Sequence, residues 1–268
     1  TDVQSAWCMR IADGGLPHES RLGTGYIHRL GADVAPRSTT RRHTEPEPEP
    51  IETPDWPVLM ARWEKSVVPA DLRRLAEGLG VSVLSLQRLG IGWSGRAWSF
   101  PMRDPSGLII GIRLRGNDGR KWAVKGSHQG LFVADGGELP DQANRVFVGE
   151  GPTDTAAGLD MGLVIVGRPS CSGCSDELAT LLYHRDVVII GDNDEVKTAP
   201  DGRQYRPGYD GAYALAARLA QPNAARSVRV IFPLHGKDLR EWKRQGADSC
   251  IVDVLAQNAK PAEISRKP

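Results

Sequence analysis

The chain has 268 residues, with 34 Lys plus Arg against 33 Asp plus Glu and a formal net charge of +1. That balance excludes a uniformly basic nucleic-acid coat, and 40% hydrophobic with 25% charged residues excludes wholesale disorder. No apolar run approaches the ~20 residues of a membrane helix, no signal peptide is read at the start, and four scattered cysteines (Cys8, Cys171, Cys174, Cys250) make no disulfide scaffold, so a cytoplasmic setting is expected.

Residues 1–43 are polar, rich in Gly, Arg and His, with little periodicity. Residues 44–57, TEPEPEPIETPDWP, alternate Glu with Pro. Proline favours extended polyproline II and like charges repel, so this stretch reads as a stiff, solvated linker. Helical spacing follows: Val58, Leu59 and Trp63, then Leu72, Leu75, Ala76 and Leu79 from a start at Pro69. Gly78 and Gly80 are expected to end that second helix, and Ser82 to cap a third carrying Val83, Leu84, Leu86 and Leu89. A helix-turn-helix reader of DNA is one reading, with only Gln87 and Arg88 as polar readers; plain helix packing is the other.

Period two takes over at residues 96–133. Trp98–Met102, Leu108–Arg115 and Arg120–Val124 read as strands, joined by Asp104-Pro105-Ser106-Gly107 and Gly116-Asn117-Asp118-Gly119 as turns. This antiparallel meander concentrates charge: residues 88–131 hold eight Lys and Arg against two Asp. From residue 145, short apolar runs (Val146–Val148, Leu163–Val166, Val187–Ile190, Val228–Phe232) alternate with candidate helices at 153–160, 175–183 and 209–220. Strands alternating with helices imply a doubly wound, mainly parallel sheet. The fold class expected is therefore α+β and α/β: a small helical segment and an antiparallel basic subdomain, then a doubly wound domain.

Two acidic motifs follow apolar strands. Glu150 ends Arg145-Val146-Phe147-Val148-Gly149 and precedes Pro152-Thr153-Asp154; Asp192-Asn193-Asp194 follows Val187–Gly191. Ligands of open α/β sheets bind beyond the carboxyl ends of strands. Several carboxylates gathered there repel one another unless a cation compensates, and oxygen donors without His or Cys suit Mg²⁺ or Mn²⁺. Turn and cap roles are the bland alternative for Asp and Asn.

E-G-P-T-D after one strand and D-N-D after a later one resemble the Toprim domain. Glu150, Asp192 and Asp194 match its signature, Asp154 a further acidic position of primases, and His235-Gly236-Lys237-Asp238-Leu239-Arg240-Glu241-Trp242 is similar to the segment that ends many primase Toprim domains. The stretch Glu195–Arg206 is an insertion relative to that pattern, read as a flap or a longer surface loop. The meander is similar to the basic subdomain that precedes Toprim in bacterial and bacteriophage primases, with Arg103, Arg113, Arg115, Lys121 and Lys125 among its matching cations.

The resemblance implies a primase RNA-polymerase core, with 58–144 as its helical and basic part and 145–268 as a Toprim domain with a C-terminal tail. Two Mg²⁺ or Mn²⁺ ions would be held by Glu150, Asp192 and Asp194, with Asp154 and Asp238 as further ligands. Arg103, Arg113, Arg115, Lys121, Lys125 and Lys237 would contact nucleoside triphosphate and template. Single-stranded DNA is the implied template. No G-x-x-x-x-G-K-[ST] phosphate loop is present, so a replicative helicase is expected in trans. A bacteriophage or mobile-element origin follows only from the resemblance. Residues 5–15 resemble the last knuckle of a primase zinc ribbon, but Ile11 stands where a second Cys is expected, and Cys8 alone cannot hold structural zinc. The 1–43 segment is read either as a degenerate remnant or as a ribbon whose first half would lie upstream of Thr1, with zinc binding by this chain not expected, and Cys171-Ser172-Gly173-Cys174 as a plain loop. A Toprim nuclease and a non-catalytic nucleic-acid-binding module remain the alternatives.

Overall fold

The computed structural model describes residues 5–8, 13, 15–20, 23–29 and 53–262. The chain divides into two compact units, Thr1–Pro50 and Ile51–Pro268. In the first, β1 (Ser5–Cys8), β2 (Leu16–Ser20) and β3 (Gly23–Arg29) form an antiparallel sheet in the order β1-β3-β2. Glycine at alternate positions of β3, Gly-Thr-Gly-Tyr-Ile-His-Arg, dilutes the apolar alternation that would have marked it. The rest of the knuckle-like segment, residues 44–52 of the Glu/Pro stretch and the tail from 263 lie outside the described residues.

In the second unit, α1 (Trp56–Lys65) begins inside the stretch expected as linker. Asp55 caps it by accepting from the Val58 N–H at 3.1 Å, and Pro57 sits in the first turn, where its missing N–H costs nothing. Helix α2 (Pro69–Leu79) runs through Gly78 and ends at Gly80, whose φ of +70° glycine adopts without strain. Helix α3 (Val83–Arg88) is capped by Ser82, whose Oγ accepts from the Ser85 N–H at 3.0 Å. Leu72, Ala76, Leu79 and Leu86 share one core, so these two helices pack as scaffold. Arg88 is held by Asp135 at 2.6 Å instead of standing free as a DNA reader.

The meander forms as an antiparallel sheet in chain order: β4 (Gly92–Trp93), β5 (Trp98–Arg103), β6 (Ile109–Arg115) and β7 (Lys121–Ala123). Helix α1 covers one face, with Trp56 and Met60 packed on Ala97, Ile112 and Leu114. Beyond lie β8 (Arg145–Glu150), α4 (Gly151–Asp160), β9 (Ile165–Arg168), α5 (Ser175–Leu181), β10 (Asp186–Ile190), the hairpin β11 (Lys197–Thr198) and β12 (Gln204–Tyr205), α6 (Pro207–Leu219), β13 (Ser227–Ile231), α7 (Leu239–Arg244) and α8 (Ser249–Asn258). The segment expected as a flap or loop is therefore a short hairpin.

Strands β8, β9, β10 and β13 form a parallel sheet in the order β13-β10-β8-β9. Alternate residues serve opposite faces. Phe147, Val188 and Ile190 join the core of α4, α7 and α8, whereas Val146, Val148, Val187 and Ile189 join that of α5 and α6. Strand order reverses between β8 and β10, the topological switch point where such sheets open a crevice.

The two sheets are stitched by one short segment. Leu131 exchanges backbone hydrogen bonds with Arg103 at the end of β5, at 2.8 and 2.7 Å. Its neighbour Phe132 does the same with Gly167 of β9, at 2.8 and 2.9 Å. The basic sheet is thereby fixed to the edge of the parallel sheet. Among the described residues, no helix is long and apolar enough to cross a membrane.

Candidate active site

The carboxyl ends of β8 and β10 deliver the acidic motifs to the switch point. Glu150 is the last residue of β8, and the chain turns at once into α4 through Gly151 at φ +78°, a backbone that disfavours a side chain. Asp154, one turn into α4, is 6% exposed and accepts from the Arg240 N–H at 3.1 Å. Burial, then the charges of Asp238 and Asp192, push its carboxyl well above the ordinary range.

Asp192 and Asp194 leave β10 through Gly191, and the residue between them fixes the loop. Asn193 donates Nδ2 to the Pro233 and Gly236 carbonyls at 2.8 and 3.1 Å, and its N–H to the Lys237 carbonyl at 2.7 Å. D-N-D is thus laced to the segment after β13 that carries His235-Gly236-Lys237-Asp238. Asp194 accepts from the Gly208 N–H at the start of α6 at 2.9 Å, and its other oxygen meets the Lys237 ammonium at 3.1 Å. Asp238 caps α7, accepting from the Glu241 N–H at 2.7 Å.

The carboxylates sense one another. Burial and the charges of Glu150, Asp238 and Asp194 push Asp192 up to about 7, against the pull of Lys237. Burial also raises Glu150, with Arg168, Lys121 and Lys237 pulling down and Asp194 pushing up. Hard oxygen donors crowded enough that neighbouring carboxylates push up Glu150, Asp154 and Asp192 are the donor set a divalent cation relieves. Among the described residues, however, no three His, Cys, Asp or Glu side chains close together into a ready ligand group. The chemistry of the donors fits a hard cation, and several of their oxygens are meanwhile satisfied by N–H groups and Lys237.

The expected cations fall in different places. Lys121 of β7 and Lys237 act on Glu150. Arg113 of β6 reaches the Pro169 carbonyl at 3.4 Å, just past β9. Arg115 is half-buried beside Arg240, and together with burial that like charge lowers its pKa. Lys125 is exposed past the end of β7. Arg103 is not brought to this group: its guanidinium donates to the Gly107 carbonyl at 2.7 Å and is paired electrostatically with Glu64.

Arg168, absent from the expected set, belongs here. It is 3% exposed, pairs in register with Glu150 across β8 and β9, and donates to the Cys171 carbonyl at 2.7 Å and the Gly211 carbonyl at 3.3 Å. Its place at the carboxyl end of a parallel strand was the available signal. Cys171 and Cys174 are unbridged, and burial pushes the Cys174 thiol up to about 11, far from a reactive thiolate.

No family model and no curated protein matches the chain. Solved structures do. The E. coli primase catalytic core superposes with a TM-score of 0.59 at 20% identity, covering 77% of this chain and 79% of that one. The DnaG primase catalytic domain bound to single-stranded DNA gives 0.59 at 20% identity, over 77% and 78%. The Aquifex aeolicus primase, with zinc-binding and RNA polymerase domains, gives 0.60 at 13% identity, over 77% and 60%. The helices among the described residues, the antiparallel sheet and the four-stranded parallel sheet, in this order, give the chain the fold of the primase catalytic cores.

Proposed function

We propose that the chain is a DNA primase, a nucleotidyltransferase that joins ribonucleotides into short primers on a single-stranded template. The carrying observation is the placement of Glu150, Asp192 and Asp194 at the carboxyl ends of the two strands that flank the switch point, within a primase-core fold. Glu150, Asp192 and Asp194 would hold Mg²⁺ or Mn²⁺, with Asp154 and Asp238 behind them. Such ions, when bound, favour ionisation of the primer 3′-hydroxyl and offset charge on the α-phosphate and the departing pyrophosphate.

The chain's own cations have a separate task. Lys121 and Lys237, already within electrostatic reach of Glu150, offset the triphosphate that must enter an acidic crevice. Arg113, Arg115 and Lys125 extend that positive surface along the basic sheet for the template backbone. Arg168 orients the crevice wall by tying the loop after β9 to α6. Asn193 holds Asp192 and Asp194 at fixed spacing from Lys237. A single-stranded template is supported by the DNA-bound DnaG domain of like fold, and a helicase acting in trans and a cytoplasmic setting accompany the same reading.

The test is incorporation of labelled ribonucleotides on single-stranded DNA with Mg²⁺ or Mn²⁺, with Asp192→Asn alongside. Short RNA products that vanish in the variant are expected. Template cleavage without incorporation would replace this reading by a Toprim nuclease. Template binding that survives with neither reaction would replace it by a non-catalytic module.

A further inference from the structure

Beside the acidic crevice, two exposed aromatic rings meet a third, Phe232, that is half-buried against the core of α5 and α6. Tyr209 and Tyr213, one turn apart on α6, lie 4.8 Å centroid to centroid. Tyr209 stacks on Phe232, just after β13, at 5.0 Å and an interplanar angle of 15°. Tyr213 remains 47% exposed and Tyr209 38% exposed. The Arg206 guanidinium lies over the Tyr209 ring, 5.4 Å from its centroid. The neighbouring hairpin adds exposed Lys197 and Arg203.

Scattered surface aromatics need no explanation, but a contacting cluster crowned by a guanidinium is a different feature. Its rings are held firmly. Phe232 backs Tyr209, and Pro207 in the first turn fixes the start of α6. The cluster is also tied to the crevice: Arg206 Nε donates to the Asp194 carbonyl at 3.2 Å, and the Gly208 N–H donates to its carboxylate at 2.9 Å. The exposed ring of Tyr213 and the adjacent cation suit bases of any identity, carried on an anionic backbone.

We propose that Tyr209, Tyr213 and Arg206 form a stacking platform for the bases of single-stranded nucleic acid, at the α6 side of the crevice. The strand's identity as template or primer rests on the primase reading; the stacking itself does not. The platform is distinct from the basic sheet, which lies at the β9 edge, whereas α6 follows β10 and packs on the other side of the switch point.

Binding by the full chain is followed through the fluorescence anisotropy of a labelled oligo(dT) and of an equally long strand of abasic sugar-phosphate units. The wild type is expected to prefer oligo(dT). Tyr213→Ala lowers oligo(dT) affinity about tenfold, the order found when one base loses an aromatic partner, and leaves the abasic strand unchanged. Tyr213→Phe keeps the preference. Equal effects of Tyr213→Ala on both strands, or on neither, overturn the platform, as does a wild type that binds both alike; the surface is then a protein contact. A preference for bases that persists while no ribonucleotide is ever incorporated overturns the primase reading and leaves the platform standing.

Discussion

Replacing Asp160 by asparagine perturbs a carboxylate that ties the helical segment to the α/β part of the second unit. Asp160, at the end of α4, accepts from the Ser82 N–H at 2.7 Å, from Ser82 Oγ at 2.5 Å and from Lys243 Nζ of α7 at 2.8 Å. Its side chain is 7% exposed and that of Lys243 24%. Burial pushes this carboxyl up, but the hydrogen bonds from Lys243 and Ser82 outweigh burial and hold it below its ordinary value. The amide introduced by Asp160→Asn would keep the shape and one acceptor oxygen, but it would turn an NH₂ group toward donors and discard the charge. Breaking a buried ion pair costs about 3–5 kcal/mol. Lys243 is partly wet and retains the Gly80 carbonyl at 3.0 Å, so we expect about 2–3 kcal/mol instead, in the range of one or two charged hydrogen bonds. For a unit of this size that is a fall in Tm of roughly 5–10 °C. Helical ellipticity is the proper signal, because every helix among the described residues lies in the second unit. The carboxyl is held low in the fold, so its contribution is full above the unfolded-state value of about 3.9 and fades as pH falls through the folded one. The gap between wild type and Asp160→Asn should therefore be widest near neutrality and close in acid. A Tm within about 1 °C of wild type at pH 7 would refute the reasoning.

Gly208→Ala should damage activity more than stability. A Cβ there would sit 2.5 Å from the Asp192 carbonyl oxygen and 2.7 Å from its Cβ, closer than nonbonded atoms allow. The D-N-D loop must move, and displacements near 1 Å at a reacting centre cost about a hundredfold; primer synthesis assays at matched protein concentration measure the loss, and incorporation within about twofold of wild type would contradict it. Asp186 at the start of β10 accepts from Arg226 and from Ser227, and these bonds hold its pKa down. Its stabilising effect is present above the unfolded pKa and lost as pH falls through the lower, folded one. Melting curves against pH should therefore show Asp186→Asn less stable than wild type at neutrality and equal to it in strong acid; a constant offset at every pH would exclude this cause.

What could be read in the sequence was whatever repeats on the scale of a few residues. The short continuous apolar runs Val146–Val148 and Val187–Ile190 marked β8 and β10, and the acidic residues directly after them were legible because chain direction in a parallel sheet fixes which end carries the site. The capping chemistry of Ser82 and the turns at residues 104–107 and 116–119 were equally local. Arg103 could not be told from its neighbours by local pattern. It lies in a cationic strand series like Arg113 and Arg115, but the register shift between Met102 and Arg103 and the bridge to Leu131 turn it toward Gly107 and Glu64. Arg168 escaped notice because its partners, Glu150, the Cys171 carbonyl and the Gly211 carbonyl, come from three other segments of the chain. Glycine spacing hid β3 of the first unit, and Asp55 with Pro57 turned the end of an apparent linker into a helix start.

The stitch at Leu131 and Phe132 explains how a cationic sheet and an acidic crevice are held together while the chain's total charge stays near zero. Each charge class alone would repel itself, eight cations against two Asp on one side and five carboxylates around a crevice on the other. Backbone hydrogen bonds from adjacent residues to β5 and to β9 set their separation without relying on the charges themselves. Those bonds demand little of the side chains, with one exception. A Cβ on Gly167 would fall 2.0 Å from Thr155 Oγ1 of α4 and 3.2 Å from the Phe132 Cβ, so this residue of β9 must stay bare chiefly for α4 to pack on it, and secondarily for Phe132 to pair with it. Fixed by backbone, the sheets keep their places even though only some of the cations, such as Arg88 with Asp135 and Arg120 with Asp118, are paired locally. An architecture secured in this way constrains few side-chain identities, which is consistent with the same fold being shared at only 13–20% identity.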